Sequence, residues 1–150
     1  METIYLQLYS LGQYGEQHPM KDNLKEVAQM GYDGVEFAGN NYGGLSAEEL
    51  KAELAANHLG CRSVHLGMND IVPTLPFLKE IGCQYAIVAM HDFSDMEETL
   101  DCARQLNEAA KEAAKYGIKV GYHNHTQEFN KLGDKYMLEV LIENTDPENV

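Results

Sequence analysis

The chain has 150 residues, of which 44% are hydrophobic and 23% are charged, as is typical of one soluble globular domain. Its formal net charge is −13, from 11 basic and 24 acidic residues. No run of Lys or Arg offsets this negative field, which repels polyanions, so we expect no nucleic-acid partner.

Apolar stretches and cysteines indicate the compartment. No stretch reaches the length of a membrane span, and the first residues lack the basic and apolar regions of a signal peptide, so we expect no membrane association. The cysteines at positions 61, 83 and 102 are odd in number and far apart, without a Cys-x-x-Cys pair. Free thiols in a reducing compartment explain them, and we expect a cytoplasmic protein.

The predicted elements alternate between strands and helices. A first strand is predicted at residues 4–9. A repeated pattern then follows, in which an amphipathic helix ends near a glycine, a polar residue comes next, and a short strand begins; its copies are residues 30–37, 59–66, 81–90 and 116–123. Glycine just past a helix is the expected C-terminal cap. Ser46 with Glu49, and Ser94 with Glu97, fit the capping box at helix starts.

Five strand–helix units predict an α/β fold with a parallel sheet. An open sheet and a closed (β/α)8 barrel of TIM type both fit this order. The strand faces favour the barrel, because one parity is aliphatic and the other carries polar side chains that a barrel mouth would gather: Gln7, Glu36, Ser63, His65, His123 and His125.

A whole barrel needs about 250 residues. We therefore expect residues 1–150 to form a single domain, an incomplete barrel with strands one to five and their helices, about five of the eight units. An unclosed barrel exposes strand edges, so we also expect a homo-oligomer.

The segment 121–129, Gly-Tyr-His-Asn-His-Thr-Gln-Glu-Phe, carries the strongest chemical signal. If the fifth strand continues through His125, then His123 and His125 share one face, and Glu128 follows where the chain leaves the strand. Two imidazoles and a carboxylate can bind a divalent metal or transfer protons near neutral pH. Glu36 and His65 lie at other strand ends, the edge where parallel α/β folds gather ligands.

The loop 38–44 is rich in glycine and matches no nucleotide-binding fingerprint. We expect it to be mobile at the barrel mouth and to close over substrate with Tyr42.

Three segments resemble a known family. They are Gly-Tyr-Asp-Gly-Val-Glu-Phe at 31–37, Ser-Val-His at 63–65, and Gly-Tyr-His-Asn-His at 121–125 continuing to Glu128 and Phe129. They are similar to the xylose-isomerase-like TIM barrel superfamily, in particular its sugar phosphate isomerases/epimerases. The resemblance implies metal-dependent sugar metabolism, in which a divalent metal polarises the oxygens of a sugar or sugar phosphate and a base removes the proton alpha to the carbonyl, giving an enediolate.

The resemblance also implies roles for single residues. Glu128 is the expected ligand of the metal, which would be Mn, Co, Mg or Zn. His123 and His125 are expected to act as catalytic proton-transfer groups, with a substrate contact or a second metal ligand as the alternatives. Glu36 and His65 are expected to contact sugar hydroxyls. The other metal ligands are expected from strands six to eight, so the metal site in this chain is incomplete and the chain alone is expected to be inactive.

Three alternatives remain open at this point. One is a lyase on the same barrel, a keto-inositol dehydratase or a keto-sugar eliminase, which begins with the same proton abstraction. Another is an abasic-site endonuclease-like barrel, against which the charge of −13 counts. The third is a non-catalytic half-barrel fragment.

Overall fold

A computed structural model describes residues 3–150 of the chain, as one parallel sheet, the helices that cover it and a small hairpin. The sheet order is β1-β2-β3-β4-β5, and every neighbouring pair is parallel. Its strands are β1 (Tyr5–Gln7), β2 (Gly34–Ala38), β3 (Gly60–Leu66), β4 (Tyr85–Val88) and β5 (Lys119–Tyr122).

The helices are α1 (Gly12–Gln17), α2 (Met20–Gln29), α3 (Ala47–Ala56), α4 (Ile71–Glu80), α5 (Met96–Ala114) and α6 (Met137–Asn144). An antiparallel hairpin, β6 (Lys131–Leu132) and β7 (Lys135–Tyr136), precedes α6. Strands and helices alternate as the sequence predicts, so the α/β prediction and the five strand–helix units are confirmed.

The hydrophobic core lies between the sheet and the helices. The aliphatic parity of β2 to β5 is buried, as predicted, and it packs with one fully buried leucine from each of α2 to α5: Leu24, Leu50, Leu75 and Leu106. At the first strand the prediction is wrong for Ile4, which is exposed, and Leu6 is only half-buried. The three cysteines are buried and free, in agreement with the thiol prediction. The opposite face of the sheet is left to the half-buried polar side chains that form the candidate site.

Helix ends follow the sequence signals in most places. Ser46 and Glu49 form the predicted capping box of α3. At α5 the cap is Asp95 instead of Ser94, because the Asp95 carboxylate accepts from the Glu98 amide while Ser94 donates to the Glu98 side chain.

Two predictions at the first strand and the loop 38–44 need correction. The first strand is shorter than residues 4–9, because the chain turns into a 3-10 helix at Leu8–Leu11. Tyr42 is buried instead of free to close over a substrate, since its ring stacks on Phe77 at 4.3 Å and meets Phe37 edge-on at 5.3 Å. It therefore anchors the loop to the core.

The pairing of β2 with β3 contains a bulge that matters for the site. Val35 lies opposite Cys61, but the next residue, Glu36, lies opposite Ser63, so Arg62 is the extra residue. The Arg62 guanidinium instead lies over the Tyr85 ring, 5.7 Å from its centre.

Gly34 is required by the close approach of three strands. A Cβ at this position would collide with the Tyr5 ring and the Gly60 carbonyl oxygen. We expect Gly34→Ala to lower the free energy of unfolding by about 1–3 kcal/mol in urea denaturation, the usual cost of overpacking.

Gly121→Ala is the matched control, because a Cβ there meets only Ile87 Cγ1, at an ordinary 3.6 Å. If Gly34→Ala lowers the free energy of unfolding as little as Gly121→Ala does, the strands around Gly34 can move apart at no measurable cost.

Candidate functional site

A cleft of about 690 Å³ lies at the carboxyl edge of the sheet. Four of the predicted site residues line it: Glu36, His65, His123 and His125. The structure therefore brings together side chains that come from β2, from β3 and from the segment after β5.

The rings of the three histidines in the cleft lie next to one another in space. The rings of His65 and His123 lie 4.9 Å apart between centres, and those of His123 and His125 lie 4.7 Å apart at a right angle. Strand β5 ends at Tyr122 and does not continue through His125, contrary to the prediction from the sequence. The His123 amide still donates to the Val88 carbonyl of β4 at 3.0 Å. His123 and His125 are exposed, so a small molecule in the cleft can reach both rings.

Glu36 is held by two neighbours on β3. The Ser63 hydroxyl donates to its Oε2, and His65 Nε2 lies 3.4 Å from its Oε1. Burial lowers the pKa of His65 below its ordinary 6.5; the Glu36 charge opposes this effect, and His123 and His125 add to it. His65 is therefore neutral at pH 7, and its Nε2 lies within ion-pair distance of the carboxylate.

Gln7 is a site residue whose role the sequence reasoning missed. It lines the same cleft from β1, and its Nε2 lies 3.4 Å from His65 Nδ1. Its Oε1 accepts from the Tyr9 amide at 2.5 Å. The available signal was its parity, which places it on the polar face of the sheet together with Glu36 and His65.

Glu128 lies apart from the cleft-lining residues and is fully buried. Its Oε1 accepts from the Tyr122 hydroxyl and its Oε2 from the His125 amide, both at 2.7 Å. Burial raises the pKa of Glu128, but the hydrogen bonds from Tyr122 and from backbone amides outweigh burial and hold the pKa below its ordinary 4.5. The carboxylate thus ties the segment with His123 and His125 to the end of β5.

The side chains of the candidate site do not form a divalent-metal site by themselves. Each oxygen of Glu128 already accepts a hydrogen bond from the protein. Among residues 3–150, no group of three or more His, Cys, Asp or Glu side chains is arranged to hold a metal ion. These residues therefore do not fit a metal on their own, and the role of Glu128 as a ligand stays a prediction.

Comparison with solved structures identifies the fold. Two structures of a sugar phosphate isomerase/epimerase from Parabacteroides distasonis ATCC 8503 match 99% and 100% of the chain, each at 25% identity, with TM-scores of 0.83 and 0.85. The chain has the fold of the xylose-isomerase-like TIM barrels. An L-ribulose 3-epimerase, at 16% identity and TM-score 0.74 over 99% of the chain, has the same fold. The predicted resemblance is confirmed.

The xylose-isomerase-like fold is matched over part of each relative. The chain spans 63% and 67% of the two Parabacteroides chains, consistent with a partial barrel. No protein-family model matches the chain, and no curated protein sequence matches it. Within the part of the chain that the structure describes, no helix is both long and apolar enough to cross a membrane.

Proposed function

We propose that the cleft belongs to an enzyme that isomerises or epimerises a sugar or sugar phosphate. The observation that carries this proposal is the convergence of Glu36, His65, His123 and His125 on one cleft. The chain is also similar to sugar phosphate isomerase/epimerase structures. Convergence of proton-carrying groups at the carboxyl edge of a parallel sheet is typical of catalytic sites in this architecture.

The reaction transfers a proton within the sugar. A base removes the proton from the carbon next to the carbonyl, and the electron pair moves onto the carbonyl oxygen to give an enediolate. The sugar is isomerised when the hydroxyl proton of the deprotonated carbon moves to the former carbonyl oxygen and a proton is added to the former carbonyl carbon. It is epimerised when a proton returns to the opposite face of the deprotonated carbon itself.

His123 and His125 are the proposed proton-transfer groups, because both are exposed in the cleft and imidazoles exchange protons near neutral pH. Glu36 and His65 are the proposed contacts to sugar hydroxyls. Glu128 holds the backbone of this segment in place, because its carboxylate accepts a hydrogen bond from the His125 amide.

The proposed mechanism places no step on a metal ion. One structural neighbour, the IOLI protein, was solved with a bound zinc atom, but at 14% identity it shows a shared fold only. A metal at Glu128 would have to reach a fully buried carboxylate whose oxygens each already accept one hydrogen bond, from the Tyr122 hydroxyl and from the His125 amide. A divalent cofactor thus stays a prediction, as do the homo-oligomer and the cytoplasmic location.

Deuterium exchange tests the function. The 150-residue chain alone is proposed to be inactive, so the test uses a chimera in which the remaining strands of the Parabacteroides protein complete the barrel. We expect the chimera, incubated in D2O with free and phosphorylated pentoses and hexoses, to incorporate deuterium next to the carbonyl, as detected by mass spectrometry. A folded chimera that exchanges no sugar in the panel would refute the proposal. Loss of water or an alcohol from the product would instead identify a lyase.

A further inference from the structure

The orientation of the Gln7 amide is decided by its neighbour on the backbone. The Tyr9 N–H can only donate, so the atom of Gln7 that lies 2.5 Å from it must be the oxygen. The amide nitrogen then faces the other way, towards His65 Nδ1 at 3.4 Å. An amide nitrogen only donates, so Nδ1 must be the accepting, unprotonated nitrogen of the ring.

The ring proton of neutral His65 therefore sits on Nε2. This atom faces Glu36 Oε1 at 3.4 Å, and the Ser63 hydroxyl donates to the other oxygen of the same carboxylate. The Tyr9 amide thus donates to Gln7, Gln7 donates to His65, and the protonated Nε2 of His65 faces the Glu36 carboxylate.

The other protonation states of His65 fit less well. With the proton on Nδ1, an N–H would face the Gln7 amide group, donor against donor, and the bare Nε2 would face a carboxylate oxygen. A doubly protonated ring would restore the contact with Glu36 but keep the clash with Gln7. Burial and the two adjacent histidines also disfavour this form, because they lower the pKa of His65.

We propose that Gln7 is a positioning residue that fixes His65 as the Nε2–H tautomer, so that Glu36 faces the cleft as an oriented carboxylate accepting a hydrogen bond from a substrate hydroxyl. The tautomer follows from the contacts alone, whereas the role of Glu36 towards a sugar rests on the proposed function. His65 Nδ1 accepts from Gln7 and its Nε2–H faces Glu36, which leaves proton transfer to His123 and His125.

The tautomer is measurable without substrate. In long-range ¹H–¹⁵N spectra of the 150-residue chain, taken at a pH where histidines are neutral, we expect Nδ1 of His65 to show the shift of an unprotonated nitrogen and Nε2 that of a protonated one. A proton on Nδ1 in the unaltered chain would overturn the proposal, whatever the variants do.

Gln7→Glu tests the cause. The new carboxylate keeps an acceptor for the Tyr9 amide and turns a second acceptor towards Nδ1, so the His65 proton should move to Nδ1 or the ring should become doubly protonated. The pKa of His65 should rise by about one unit or more, as expected beside an added negative charge. The groups that face this ring are Gln7, Glu36, His123 and His125.

Gln84→Glu is the matched control, because it adds the same charge at an exposed position in the turn before β4. It should leave the His65 spectrum unchanged. Gln7→Met, which removes both amide contacts without adding charge, should admit a detectable share of the Nδ1–H form, because Glu36 alone then favours the proton on Nε2. If His65 keeps a single Nε2–H tautomer in Gln7→Glu and in Gln7→Met, then Gln7 does not fix it and the proposal fails. Deuterium exchange by the chimera is a separate result and bears on the proposed function alone.

Discussion

Replacing Glu128 with Leu is expected to lower the free energy of unfolding by about 2–4 kcal/mol, because two donors lose their buried acceptor. These donors are the Tyr122 hydroxyl and the His125 amide. Urea denaturation measures the loss. Glu148→Leu, at an exposed position, is the control and should change stability by less than about 0.5 kcal/mol. Equal small losses for both variants would show that the Glu128 hydrogen bonds do not hold the segment.

The Glu128 contribution should also depend on pH. The pKa of Glu128 is lower in the folded chain than its ordinary 4.5, so the ionised carboxylate favours folding above that value. As the pH falls below 4.5 and through the lowered pKa, the carboxylate takes up a proton and this contribution disappears. The stability gap between the unaltered chain and Glu128→Leu should therefore narrow in acid. A gap that widens below pH 4.5 would contradict the argument.

His125→Ala and His123→Ala are each expected to slow deuterium exchange by the chimera about 10²–10⁴-fold, the usual contribution of a general acid or base. Both side chains line the cleft, and their rings are in contact. Rates of deuterium incorporation at saturating sugar measure the effect.

His91→Ala is the control for these variants, since His91 also follows a strand but lines a separate, acidic cavity beside α5. It should keep the full exchange rate. If exchange persists in both His123→Ala and His125→Ala, or falls equally in His91→Ala, the assignment of proton transfer to the cleft is wrong.

The order of elements and the faces of the strands were predictable, because they depend on periodicities that are local in sequence. The ends of the helices were less predictable from the sequence. The pattern places the cap of α3 at Gly60, yet Gly60 begins β3 beside the Tyr5 ring, and His58 takes the left-handed conformation, with φ of 56°. A glycine that permits close packing of strands cannot be told from one that ends a helix by the local sequence. The difference depends on whether a neighbouring strand lies against it, which the local sequence does not show.

The composition of the candidate site was predictable in part. The sequence indicated that Glu36, His65, His123 and His125 lie at strand ends, and the structure places them in one cleft. It did not indicate that Glu128 turns towards Tyr122, because a carboxylate six residues after a strand can face either side of the sheet. The tautomer-setting contact of Gln7 joins residues 58 positions apart and has no local signature.

The bulge between β2 and β3 determines which side chain stands beside Glu36. With regular pairing, the guanidinium of Arg62 would occupy the place of the Ser63 hydroxyl, and an ion pair would replace the hydrogen bond that leaves Glu36 open to a ligand. An alignment that misplaces this extra residue by one position would put Arg62 in the place beside Glu36 that Ser63 takes. The chemistry of the cleft is thus encoded in the number of residues in β3 as much as in their identity.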